Sequence, residues 1–310
     1  MTRAFVFPGQ GAQTIGMGRD LAQAYSAARA VFTEVDDALS ENLSALIWNG
    51  EADQLQLTQN AQPALMATSI AALRALEAEG IGLSSAAYVA GHSLGEYSAL
   101  CAAGSLTLTD TARLLRLRGQ AMQAAVPVGV GAMAALLGLD FAAAAEVAAE
   151  AAQGEVCQAA NDNDPAQVVV SGHRGAVERA LEIAKAKGAK RALLLPVSAP
   201  FHCALMQPAA DAMAAALSGV TLLAPRVPLV ANVRADAVTD PETIRALLVE
   251  QVTGSVRWRE SVLWMESRGV TEAWEIGAGK ALSGMIKRIA PGISTRAIGL
   301  SADVAAALAG

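Results

Sequence analysis

The sequence predicts an α/β fold: a mostly parallel sheet with helices on both faces, carrying a smaller inserted α+β unit. Three observations lead there. In the first third of the chain, short apolar runs alternate with segments of helical period, the pattern of parallel strands joined by crossover helices. At residues 88–96 an apolar run enters Gly91-His92-Ser93-Leu94-Gly95 and continues into a helix-like segment, the form of a nucleophile elbow. From 127 to 197 a strand–helix–strand–helix–strand run has the size of a compact α+β unit. Together these assign 1–126 and 198–310 to a large α/β part and 127–197 to a small one.

Composition sets the frame. The chain has 310 residues, 53% of them hydrophobic and 17% charged. Such a length buries roughly three quarters of the unfolded surface, enough for one large domain or two coupled ones. A net charge of -6 argues against a general nucleic-acid binder. Cys101, Cys157 and Cys203 are widely separated, with neither metal-ligand nor redox-pair spacing, so a reduced cytoplasmic setting without metal or resident cofactor is expected. The N-terminal apolar run is too short for a signal peptide. Residues 119–139 carry no charge, but Gln120, Gln123, Pro127 and four glycines argue against a membrane span.

Taken in order, residues 3–7 read as the first strand. Pro8-Gly9-Gln10-Gly11-Ala12-Gln13 follows as a loop whose glycines suit either backbone amides held near a ligand or an ordinary turn. Helical periodicity runs over 20–46 and again over 63–79, where Gly80 stops it. At the elbow, small residues two places either side of the serine let the backbone pass close to its neighbours. The helix behind offers N–H groups to an oxyanion. Ser93-x-x-Glu96 also fits a capping box, although a cap does not call for Gly91 and Gly95.

The helix over 109–123 contains a misplaced charge. At 100° per residue, Leu114, Leu115, Leu117, Ala121 and Met122 share one face, and Arg113, Arg116, Gln120 and Gln123 the other. Arg118 falls amid the apolar face, where it snorkels, ends in a structural ion pair, or presents a planar fork to a substrate carboxylate. Beyond Pro127, residues 128–139, 167–170 and 191–197 read as strands, with helices over 141–152 and 175–187 between them. Of the three histidines, His92 adjoins the serine but directs its side chain to the opposite face, and His173 lies in a polar turn. His202 follows a strand and opens a helix over 203–217, where active-site loops gather in a parallel sheet. A helix N-terminus disfavours the imidazolium, making His202 the candidate base. Farther on come a strand over 227–233, a helix over 244–252 and a strand over 273–276 entering Gly277-Ala278-Gly279-Lys280. That turn fails as a nucleotide loop: Leu282 stands at the third glycine of the dinucleotide fingerprint, and Ala281 at the Ser/Thr after a P-loop lysine.

Phe7-Pro8-Gly9-Gln10-Gly11-Ala12-Gln13, Gly91-His92-Ser93-Leu94-Gly95-Glu96-Tyr97, Arg118-Gly119-Gln120-Ala121-Met122-Gln123, Pro200-Phe201-His202 and Gln251-Val252-Thr253-Gly254-Ser255-Val256-Arg257-Trp258 occur in one order and spacing. In this the chain resembles the malonyl-CoA:acyl carrier protein transacylases over essentially its whole length. The resemblance implies an α/β-hydrolase-like large subdomain interrupted by a ferredoxin-like small one. It implies Ser93 as acyl-accepting nucleophile and His202 as its base, oriented by the main-chain carbonyl of Gln251 rather than by a carboxylate. The N–H groups of Gln10 and Leu94 would form the oxyanion hole, and Arg118 would clamp the malonyl carboxylate. Met122 and Gln251 join the substrate site, and Phe201 blocks a branched 2-methyl acyl group.

The implied reaction is a ping-pong transfer from malonyl-CoA through a malonyl-serine ester to the phosphopantetheine thiol of acyl carrier protein. The expected partners are malonyl-CoA and a holo carrier protein on a separate chain, with fatty-acid synthesis the default context; a monomer is compatible with all of this. A polyketide malonyltransferase would leave the same residues. A serine esterase or thioesterase would share the elbow, but needs a water path and has no use for Arg118. Ser255 stands where many members have proline, which predicts a looser loop around the Gln251 carbonyl. Carrier proteins of this class are acidic, and Lys185, Lys187, Lys190 and Arg191 form the candidate docking patch.

Overall fold

The computed structural model describes residues 2–309. Ten strands follow one another along them: β1 (Thr2–Phe7), β2 (Tyr88–Gly91), β3 (Gly131–Leu137), β4 (Cys157–Asp164), β5 (Gln167–His173), β6 (Arg191–Leu194), β7 (Leu229–Ala231), β8 (Asp236–Val238), β9 (Val270–Ile276) and β10 (Ser294–Ile298). Six form one sheet in the order β10-β9-β1-β2-β7-β8, parallel throughout except where β8 pairs with β7. Its central strand is apolar on both sides: Phe5 and Phe7 enter one core, Ala4 and Val6 the other. A strand covered on both faces has no polar alternation, so β1 reads as a continuous apolar run.

The other four strands form an antiparallel sheet in the order β4-β5-β3-β6. Helices Phe141–Ala152 and Arg174–Ala186 pack on it through Ala144, Val147, Val177 and Ala180. The connection is βαββαβ, one strand more than the sequence reading gave. β4 escaped that reading because Asn161-Asp162-Asn163-Asp164, all buried, are polar without alternation. β8 and β10 were also not anticipated. Among the described residues no helix is long and apolar enough to cross a membrane.

Local chemistry corrects the helices. The segment expected over 20–46 is three helices, Arg19–Ala24, Ser26–Leu39 and Leu43–Asn49, broken at extended Tyr25 and left-handed Ser40. Thr58–Ala78 begins ahead of Pro63, which lies inside it. Proline cannot donate to the carbonyl four residues back. Arg116 Nη1 donates to that Gln59 carbonyl instead, at 2.5 Å, and Nη2 pairs with Glu41. This is why Arg116, placed by the helical wheel on the face opposite the leucines, is buried, while Leu117 is exposed. The helix Leu108–Ala124 is flanked by neighbours on more than one side, so a two-faced pattern does not describe it.

Candidate active site

Ser93 sits on a strained turn, φ 53° and ψ -112°, between β2 and the helix Leu94–Ala102. A Cβ on Gly91 would lie 1.9 Å from the Gly95 carbonyl carbon, and one on Gly95 2.2 Å from the Phe7 carbonyl oxygen. Both positions therefore require glycine if β1, β2 and the elbow helix are to meet. The Ser93 side chain makes no cap hydrogen bond, which removes the capping-box reading. Its N–H donates instead to Asn232 Oδ1 at 2.7 Å, while Asn232 Nδ2 donates to the Gly91 carbonyl at 2.6 Å. Asn232, just past β7 at the carboxyl edge of the sheet, thus staples the elbow from the neighbouring strand.

His202 Nε2 lies 2.7 Å from Ser93 Oγ, and His202 Nδ1 lies 2.8 Å from the main-chain oxygen of Gln251. A carbonyl only accepts, so Nδ1 carries the hydrogen and Nε2 is left to accept from the serine hydroxyl. The imidazole is oriented without a carboxylate. Burial, then the positive charge of Arg118, hold the His202 pKa down to about 3. A helix N-terminus is not the cause: a single 3-10 turn, Ala204–Met206, separates His202 from the helix Gln207–Ser218.

Arg118 is 1% exposed, and among the described residues its hydrogen-bond partners are neutral. Nη1 donates to Gln62 Oε1 at 2.7 Å; Nη2 donates to Gln251 Oε1 at 2.8 Å and to Ser93 Oγ at 3.1 Å. The snorkelling and structural ion-pair alternatives thus fail, and the guanidinium stands beside the serine oxygen. A cation there favours a developing alkoxide. Gly119 lets the two helices cross closely, since a Cβ on it would meet Gln59 Cα at 2.5 Å. Gln62, three residues after Gln59 in the same helix, is thereby brought onto the arginine.

These groups open into a cavity of about 580 Å³ lined by Gln10, Ser93, Leu94, Arg118, Met122, Phe201 and His202. Leu94 is the first residue of its helix, where an N–H has no intrahelical acceptor. Gln251 does not line the cavity: it is fully buried behind Arg118 and touches the site residues from below. His92 bonds Asn163 Oδ1 at 2.8 Å, and His173 accepts from the Val156 N–H at 2.9 Å; neither contacts the serine hydroxyl. Cys203 is fully buried with its thiol on the Pro200 carbonyl. The Ser255 hydroxyl bonds the Ala159 carbonyl, and Val256 exchanges hydrogen bonds with Ala160 and Asp162 at 2.9 Å, so the loop without proline is fastened to β4. Of the docking candidates, Lys185 pairs with Glu182 at 2.7 Å and Lys187 with Glu150 at 3.0 Å, leaving exposed Lys190 and Arg191. Sequence reasoning missed Gln62, Glu96, Asn163 and Asn232 as site supports; of these, Asn232, a single amide ending the apolar run Leu229-Val230-Ala231, carried a local signal, whereas the others stand among polar neighbours.

Fold and site together have the form of an acyl-transfer enzyme. The family model described as acyl transferase domain matches residues 4–275, and the chain belongs to that family. Within it, the chain is similar to the malonyl CoA-acyl carrier protein transacylase of Escherichia coli (strain K12), at 48% identity over 98% of both chains. It is also similar to the acyl-carrier-protein-S-malonyltransferase structure from Bartonella henselae, with a TM-score of 0.97 and 57% identity over 100% of this chain and 99% of that one. A malonyl-transacylase solved in complex with its type II PKS acyl-carrier protein matches with a TM-score of 0.96 and 44% identity, over 100% and 99% of the two chains.

Proposed function

We propose that this chain transfers the malonyl group from malonyl-CoA to the phosphopantetheine thiol of acyl carrier protein, by way of an ester on Ser93. One observation carries the reading. Ser93 Oγ lies 2.7 Å from a neutral, oriented imidazole and 3.1 Å from a buried guanidinium that has no carboxylate of its own. A hydrolase has no need of the second group; a donor with a free carboxylate does.

In the first half-reaction Oγ attacks the thioester carbonyl while His202 Nε2 takes the hydroxyl proton. The Gln10 and Leu94 N–H groups receive the oxyanion, each worth about 3 kcal/mol. The C–S bond breaks, and the departing CoA thiolate recovers the proton from His202. The carrier's thiol then repeats these steps in reverse on the ester. Arg118 holds the malonyl carboxylate throughout, and Phe201 stands against a 2-methyl branch. We assign residues 1–126 and 198–310 to the catalytic subdomain and 127–197 to the small one. The proposed setting is cytoplasmic, in keeping with three buried cysteines that are all free.

Intact mass spectrometry after brief exposure to malonyl-, acetyl- and methylmalonyl-CoA tests the reading. A malonyl adduct, absent in Ser93→Ala and discharged by holo carrier protein, is the expected result; steady CoA release without adduct would make the chain a thioesterase. A second reading, service of a polyketide carrier, draws on the likeness to the transacylase solved with a type II PKS carrier. Discharge rates by the two kinds of carrier separate the contexts. For docking, we place the carrier at Lys190 and Arg191. Charge reversal at this pair raises the carrier KM several-fold, whereas reversal at Lys185 and Lys187 does not; equal effects contradict the placement.

A further inference from the structure

Glu96 belongs to the elbow motif, yet the reaction above leaves it unused. It stands in the first turn of the elbow helix and is 1% exposed. Its Oε2 accepts from Gln251 Nε2 at 2.7 Å and from the Asn232 N–H at 3.2 Å. The other end of the same amide, Gln251 Oε1, accepts from Arg118 Nη2 at 2.8 Å. An amide has one accepting and one donating end, so a carboxylate on one side and a guanidinium on the other fix its orientation. One side-chain amide therefore separates the buried cation from this buried acid.

The spacing meets two opposed needs. A buried guanidinium without counter-charge is costly. A carboxylate seated directly on it would occupy the fork that a substrate carboxylate must use. An acid held one amide away balances the charge while the fork itself carries only the neutral Gln62, Gln251 and Ser93.

We propose that Glu96 is a positioning and charge-balancing residue that sets the preference for a dicarboxylic acyl donor: it holds the Gln251 amide against Arg118 and takes up one proton when the donor's free carboxylate occupies the guanidinium. The proposal deepens, and rests on, the malonyl reading. Before binding, above pH 7, the cluster holds one positive and one negative charge. The bound carboxylate adds a second negative charge to the same dry volume. A solvent proton on Glu96 Oε1, the oxygen not engaged by Gln251 or Asn232, restores neutrality.

Other titratable groups nearby do not compete near neutrality. Tyr97, on the same helix, is pushed up to about 12 by burial; His202, beyond Gln251, is held down to about 3. His92, on the preceding turn, is lowered by burial and bonded to Asn163. Burial already raises Glu96 to about 7, against the opposing pull of Gln251, Asn232 and Arg118.

The test compares Glu96→Gln with the wild type in malonyl- and acetyl-CoA transfer from pH 7 to pH 9. The glutamine keeps an oxygen for the two N–H donors and removes the charge. In the wild type the malonyl-to-acetyl ratio of kcat/KM falls on the order of tenfold over that range; in Glu96→Gln it stays level. A variant whose ratio falls as steeply as the wild type's overturns the proposal. Proton uptake gives a second measurement that does not depend on this variant folding. Malonyl-CoA binding to Ser93→Ala is measured by calorimetry at pH 8 in two buffers of different ionisation enthalpy, with acetyl-CoA as the control for the CoA phosphates. Uptake approaching one proton is expected, and none overturns the proposal. A wild type that forms no malonyl ester defeats the malonyl reading itself, and this proposal with it.

Discussion

Arg118 and His202 are both buried beside Ser93, and the proposed reaction uses the burial of each differently. Arg118→Ala removes the cation on the serine oxygen, and with it the proposed partner of the donor carboxylate. Malonyl transfer should lose about 2 to 5 kcal/mol of transition-state stabilisation, and acetyl transfer far less; equal losses for the two donors would sink the clamp. His202 makes the opposite use of burial. Its pKa is lowered, so the ring stays neutral as the pH falls through the ordinary histidine range, and takes a proton only near pH 3. The acid limb of kcat should accordingly lie well below 6.5, and a pH–rate profile with a limb at 6.5 contradicts this. Stability carries the same sign. The unfolded histidine binds its proton near 6.5 and the native one does not, so this contribution is lost as the pH falls from 6.5 towards 3.

Among the elements, the elbow is the one most fully written in the sequence. Gly95→Ala drives a Cβ to 2.2 Å from the Phe7 carbonyl, a backbone atom that cannot rotate away. We expect a loss of about 2 kcal/mol or more, from overpacking, read as a shift of the urea midpoint together with loss of acylation. A stable, fully active Gly95→Ala enzyme would show that the turn relaxes. Gly91 and Gly95 were legible because a steric need selects one residue type, and Arg118 because a charge amid leucines stands out. β4 was not, since its Asn161-Asp162-Asn163-Asp164 run is polar yet buried, and what buries it is the other sheet. The partners of Arg116 were hidden for a similar reason: the Gln59 carbonyl is free only because Pro63 lies inside a helix that the sequence had started at that proline. Local pattern records what a segment does with its own neighbours in the chain. It is silent where the partner arrives from far away.

Across the whole molecule, the cavity is a space between two sheets, with Met133, Asn161 and Val169 on one side and Gln10 and Ser93 on the other. Apolar packing joins its walls through Met133, Ala160 and Val169, and the polar residues of β4 add charged contacts across the seam. Arg259 Nε lies 3.0 Å from each Asp162 carboxylate oxygen, Arg288 Nε lies 2.8 Å from Asp164 Oδ2, and Asn163 holds His92. The aspartates are buried, at 1% and 2% side-chain exposure, while Arg259 and Arg288 retain 28% and 55%. Removing a cation therefore strands a buried carboxylate, whereas removing an aspartate leaves an arginine that water can reach. Arg259→Leu should destabilise by about 2 kcal/mol at pH 8, less than the 3–5 kcal/mol of a fully buried pair because Arg259 is partly solvated. Asp162→Asn should cost less, since the amide can still bond and no charge is left dry. Burial already raises the Asp162 carboxyl against the pull of Arg259, and without that arginine it rises further. The native state then binds the extra proton more readily than the unfolded chain, so the Arg259→Leu deficit must shrink as the pH falls from 8 to 5. Urea unfolding of both variants at the two pH values checks this. A deficit independent of pH would mean that Arg259 stabilises the seam by packing alone, and that the charge on β4 does not hold the two sheets around the cavity.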